Sequence, residues 1–79
     1  MDDRGRTFAE QLREIGGSEH ADHLTELRSE LEREAPRPAV LEEQFERLRS
    51  HPDLGAELTV WWNDPKVQTF IAELNGMGL

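Results

Sequence analysis

Two histidines, His20 and His23, stand three residues apart with Glu19, Asp22 and Glu26 around them. Imidazole and carboxylate bind zinc-like metals without sulfur, and an i, i+3 or i, i+4 pair on a helix can present two ligands to one ion. With Leu31 at the centre of the helix's apolar face, His20 falls near that face and His23 on its flank, about 60° away at 100° per residue. A metal centre needs a third ligand, and His51 lies far along the chain in a segment that reads as a turn. The pair is therefore expected to be two surface histidines, one partly packed, with a metal-binding protein through His20 and His23 as the third functional reading. No metal site, cofactor or catalytic residue is assigned.

Other chemistry finds less support. Ser18, His20 and Asp22 are close in sequence, but Ser18 reads as a helix N-cap, and residues two apart on a helix do not face each other. Gly16-Gly17 is a pair and not a phosphate-binding fingerprint. Close carboxylates are expected by chance among 17 acids in 79 residues. A chain of this size also has little room for a substrate pocket. The expectation is a protein that is not an enzyme.

Charge is the next feature. Asp22, Glu26, Glu30 and Glu34 step by four along one helical ridge, and like charges at that spacing repel by a few tenths of a kcal/mol each. A cationic partner could use the ridge, which makes an acidic inhibitor or nucleic-acid mimic the alternative reading. Magnitude weighs against mimicry. Three such steps span about 18 Å, over which duplex DNA presents roughly ten charges. The ridge presents four, flanked by Arg28 and Arg33. A solvated face is the plainer reading, under which Glu30→Gln stabilises by a few tenths of a kcal/mol.

Val60-Trp61-Trp62 is the longest apolar run. Adjacent helical residues diverge by about 100°. If Trp61 joins Leu54 and Leu58 in the core, Trp62 lies at its edge and Val60 on the far side. The edge tryptophan is either an interaction surface or a lid packed under Met77 and Leu79.

These residues need a scaffold, and punctuation in the sequence divides it into about five short helices. The first spans about 7–15, with a Thr7-x-x-Glu10 capping box and Gly16-Gly17 at its end. The second spans about 19–34, capped by Ser18 and broken by Ala35-Pro36-Arg37-Pro38. The third spans about 39–49, with Leu41, Phe45 and Leu48 on one face. The fourth spans about 52–62 behind Ser50-His51-Pro52. Its second half, Leu58 to Trp62, is rich in strand formers, so a strand paired across a dimer is the alternative. The fifth spans about 65–75, with Asp64 as cap, Pro65 in the first turn, and Val67, Phe70, Ile71 and Leu74 at helical spacing. The sequence predicts an all-α fold: one small compact bundle of four to five helices, with the second and third as a candidate protruding hairpin.

The bulk numbers narrow the class further. The chain has no cysteine, a net charge of −8, and 33% charged residues against 35% hydrophobic. Acidity disfavours direct binding to nucleic acid or an anionic membrane surface, and no apolar run is long enough to span a bilayer. A cytoplasmic protein is the default. So short a core leaves little net stability without a disulfide, metal or partner. Leu24, Leu27 and Leu31 form a narrow stripe of the kind one helix presents to another. The expected function is a non-catalytic interaction or structural module. Its expected partner is a second copy or another protein, met through Leu24, Leu27, Leu31 and His20 and through Val60, Trp61 and Trp62.

Overall fold

Apolar residues at helical spacing and short polar turns produce five helices in the computed structural model, which describes residues 3–77. They are α1 (Arg4–Gly16), α2 (Ala21–Leu31), α3 (Pro38–Leu48), α4 (Gly55–Trp62) and α5 (Pro65–Met77). No strand occurs among the described residues, and Leu58 to Trp62 is helical. Helix wins there because Leu58 and Trp61 fall on one face and both enter the core. The dimensions are 36 × 21 × 19 Å.

The core joins all five helices. Phe8 and Leu12 come from α1, Leu24, Leu27 and Leu31 from α2, and Leu41, Phe45 and Leu48 from α3. Leu58 and Trp61 come from α4, Val67, Phe70, Ile71 and Leu74 from α5, and Leu54 from the turn before α4. Fully burying each of the larger side chains contributes on the order of 1.5–3 kcal/mol. Phe8 stands at the aromatic centre, edge-on to Trp61 at 6.2 Å and to Phe70 at 5.3 Å.

Two features of the expected scaffold differ. α2 and α3 do not form a protruding hairpin, because α2 makes its most extensive packing with α1. Gly5 permits that contact: a Cβ there would lie 2.1 Å from the Leu31 carbonyl oxygen. The Leu24, Leu27 and Leu31 stripe is consequently spent inside the chain, with exposures of 0%, 0% and 2%.

Helix ends also shift. α1 begins at Arg4, so Thr7 lies inside the helix and its hydroxyl donates to the Asp3 carbonyl. No capping box forms there. Arg4 instead pairs with Glu73 and lies over the Phe70 ring, tying α1 to α5. Gly17 ends α1 with φ +59°, a conformation that favours glycine. α2 starts at Ala21, with His20 and not Ser18 in the cap position. It stops at Leu31, three residues before Glu34. Pro36 and Pro38 each disfavour helical backbone in the residue before them, and Arg37 is extended, with ψ 115°. The fifth start is as read: Asp64 accepts from the Lys66 amide at 2.8 Å. The Met77 side chain and Leu79 lie outside the described residues, and so does their expected packing over Trp62.

Candidate metal centre

Glycine termination of α1 sets up the site. Gly17 turns the chain, and the His20 amide donates back to the Gly16 carbonyl at 3.1 Å. This delivers His20 to the first position before α2, and His23 follows one turn later on its exposed flank. Leu24 and Leu27, wholly buried, hold that end of α2 against the core.

The third component comes from the connection between α3 and α4. The His51 amide donates to Leu48 at 2.9 Å, and the His51 carbonyl accepts from Gly55 at 2.8 Å. Its ring folds back along the turn, where Nδ1 accepts from the Asp53 amide at 3.1 Å and the Leu54 amide at 3.3 Å. His51, and not Ser50, therefore caps the amides of this turn, while α4 itself, with Leu54 at its N-cap position, has no side-chain cap. Asparagine and aspartate do the same in a turn, with an acceptor reaching amides two or three residues on.

The three histidines meet. Ring centroids are 5.9 Å apart for His20 and His23, 5.2 Å for His20 and His51, and 5.0 Å for His23 and His51. One ligating nitrogen from each lies within 4.8 Å of the others. Carboxylates border the group: Asp53 Oδ2 is 3.5 Å from His20 Nε2, and Glu19 Oε2 is 4.0 Å away. His20 and His51 are half-buried and His23 is exposed. His20 is partly packed and His23 exposed, as expected of the pair; what local spacing did not place beside them is His51, brought there by folding. A signal for it existed in the topology. Consecutive antiparallel helices place alternate connections at the same end of a bundle, and His20 and His51 lie in the first and third connections.

The acidic ridge is not a uniform solvated face. Asp22 and Glu34 are exposed, and Glu26 accepts from the Gln44 amide nitrogen at 2.9 Å. Glu30 is buried, with 4% exposure. Its Oε2 accepts from the Arg37 backbone amide at 2.9 Å and from Arg37 Nε at 3.2 Å, and its Oε1 from Arg37 Nη2 at 2.9 Å. Arg33 Nε is 3.4 Å from the same carboxylate. The hydrogen bonds from Arg37 hold the Glu30 carboxyl below its usual range, against the opposing effect of burial. Glu30 thus ties the end of α2 to the start of α3 and is not displayed to a basic partner.

The tryptophans divide as the helical angle requires. Trp61 is in the core, and its indole N–H donates to Gln11 Oε1 at 3.0 Å. Trp62, half-buried, stacks on Phe45 at 4.4 Å with 4° between the rings. Val60 is 75% exposed. The apolar cleft lined by Leu31, Phe70 and Leu74 is rimmed by the Arg4–Glu73 pair and assembles no nucleophile with a base. No helix among the described residues is long and apolar enough to cross a membrane. Compared with known protein families, curated proteins and solved structures, the chain matches none.

Proposed function

We propose that this chain is a non-catalytic metal-binding helical domain that takes one divalent transition ion, zinc in the first instance, at His20, His23 and His51. The observation carrying this reading is that all three histidines of the chain converge within 4.8 Å, two from the start of α2 and one from the α3–α4 connection. Imidazole ligands suit zinc, copper, nickel and iron, and exclude the oxygen-seeking magnesium and calcium. The ion would staple the α1–α2 turn to the α3–α4 turn. A domain of this size with no disulfide gains most from such a staple. Binding at 100 times Kd stabilises the fold by about 2.7 kcal/mol.

Isothermal titration of the chelator-stripped chain with zinc chloride tests the reading. One ion per chain is expected for the wild type, with binding lost in His23→Ala, whose exposed position leaves folding intact. Absence of binding by the wild type, or binding unchanged in His23→Ala, rejects it.

A second reading, an interaction module, rests on Val60, which is the large hydrophobic side chain left exposed among the described residues. Its proposed occupant is a second copy. Sedimentation equilibrium then shows a dimer that Val60→Glu dissociates, and a wild-type monomer at high micromolar concentration rejects it.

A further inference from the structure

An imidazole has two nitrogens but, when neutral, only one lone pair in the ring plane. In His51 that lone pair is on Nδ1, engaged by the amides of Asp53 and Leu54. A metal ion also requires a lone pair. If Nδ1 takes the metal, the ion displaces both amides. If Nε2 takes it, the ring proton moves to Nδ1, and an N–H then faces two N–H groups. His51 cannot cap the turn and ligate a metal at once.

Spacing leads to the same place. Metal–nitrogen bonds of about 2.0–2.1 Å in a tetrahedral site set donor atoms roughly 3.3 Å apart. The three imidazole nitrogens spread over as much as 4.8 Å, so the group has to contract. α2 is anchored by Leu24 and Leu27, and Leu54 fixes the far end of the turn, all three at 0% exposure. The movable part is residues 51–53, whose Pro52 and Asp53 are exposed. The same turn carries the carboxylate that lies nearer to His20. Asp53 Oδ2 is 3.5 Å from His20 Nε2, close to the spacing of two ligands on one ion, whereas Glu19 is at 4.0 Å.

We infer that metal binding takes His51 out of its capping role and recruits Asp53 as the fourth ligand, so that occupancy rearranges the 51–54 turn ahead of α4. This rests on the metal-binding reading above. The backbone bond from Gly55 to the His51 carbonyl, at 2.8 Å, does not involve the ring and survives the change. The rearrangement is therefore confined to the turn and does not unwind α4. Three histidines and an aspartate make a closed centre with a net charge of +1 for a divalent ion. Such a site holds structure and leaves no open position for a substrate.

The test is a zinc titration of the full chain followed by 1H–15N NMR and amide exchange, with Asp53→Asn alongside. At saturation the Asp53 and Leu54 amide resonances shift, and exchange protection at Leu54 falls about tenfold or more. Protection at the Gly55 amide is retained. Asp53→Asn, an exposed substitution, weakens zinc binding by roughly 10–100-fold. If zinc shifts the His20 and His23 resonances while the Asp53 and Leu54 amides keep their protection and Asp53→Asn binds equally well, the inference is overturned and metal binding stands. If zinc shifts nothing, both fall.

Discussion

The two ends of α2 carry polar clusters of opposite character. At its C-terminal end a buried carboxylate, Glu30, meets two guanidiniums and a backbone amide, with charge and hydrogen-bond geometry both matched. At its N-terminal end three imidazoles meet one another. Each cluster ties α2 to a distant connection, Glu30 to the start of α3 and the histidines to the turn before α4. The difference lies in what completes them. A charged group left short of partners in the interior is costly, so a buried carboxylate has to be satisfied by the chain itself, and Glu30 is. The imidazole cluster is partly exposed and has the Asp53 and Glu19 carboxylates at its border, so it does not depend on a matched set of buried partners. The first cluster is structural by necessity; the second is free to be chemical.

The largest expected effect breaks the first cluster. Arg37→Ala strips the side-chain donors from a carboxylate that stays buried, and Glu30→Gln removes the charge that those donors address. Hydrogen bonds to charged groups are worth about 1.5–3 kcal/mol, so Glu30→Gln loses up to that order of stability in urea unfolding, and Arg37→Ala shifts it in the same direction. The Glu30→Gln sign is opposite to that expected of a solvated acidic ridge. A stabilised Glu30→Gln would return Glu30 to that ridge.

Acid sharpens the same point. The folded carboxyl titrates below its ordinary range because Arg37 donates to it. Its stabilisation is therefore fully present above the unfolded glutamate value of about 4.3, and is lost as pH falls through that value toward the lower folded one. Melting temperature measured from pH 7 downward should fall more steeply for the wild type than for Glu30→Gln. Parallel curves would mean that the ion pair contributes nothing.

The contrast between the clusters also marks what the sequence made legible. Helical spacing alone locates the buried faces, as Leu41, Phe45 and Leu48 show, and so do Val67, Phe70, Ile71 and Leu74. Apolar burial is non-directional and follows the period of the helix. Partner choice is different, because it depends on tertiary closure. Leu24, Leu27 and Leu31 have the spacing of an intermolecular stripe, yet the Gly5–Leu31 approach presses them onto α1. Glu30 follows the ridge pattern of Asp22 and Glu26, but the extended backbone at Arg37 brings a guanidinium back to it. His51 was invisible to local spacing for the same reason: its neighbours lie 28 and 31 residues upstream.

A smaller effect separates His51 from the other histidines. In chelator, His51→Ala removes the acceptor for the Asp53 and Leu54 amides. A hydrogen bond of this kind contributes about 0.5–1.5 kcal/mol net, and chemical denaturation should show a loss in that range. A loss near zero would mean that the turn amides find equivalent acceptors, and would remove the competition between cap and metal.

The smallest effect is the most discriminating. His23 is exposed on the flank of α2 and packs only against the other two imidazoles among the contacts that define the cluster. Surface substitutions of this kind usually stay within about 0.5 kcal/mol. His23→Ala in chelator should therefore unfold within that margin of the wild type, well short of the Glu30→Gln or Arg37→Ala loss. With zinc at 100 times the wild-type Kd, the wild type should gain about 2.7 kcal/mol and the variant far less. The two conditions distinguish the roles a histidine can have here. A packing residue costs the same stability with and without metal, whereas a ligand costs almost nothing until metal is present. Equal stabilisation of both proteins by zinc would place the ion elsewhere, and equal destabilisation in both conditions would make the histidine cluster a packed structural feature like the one around Glu30.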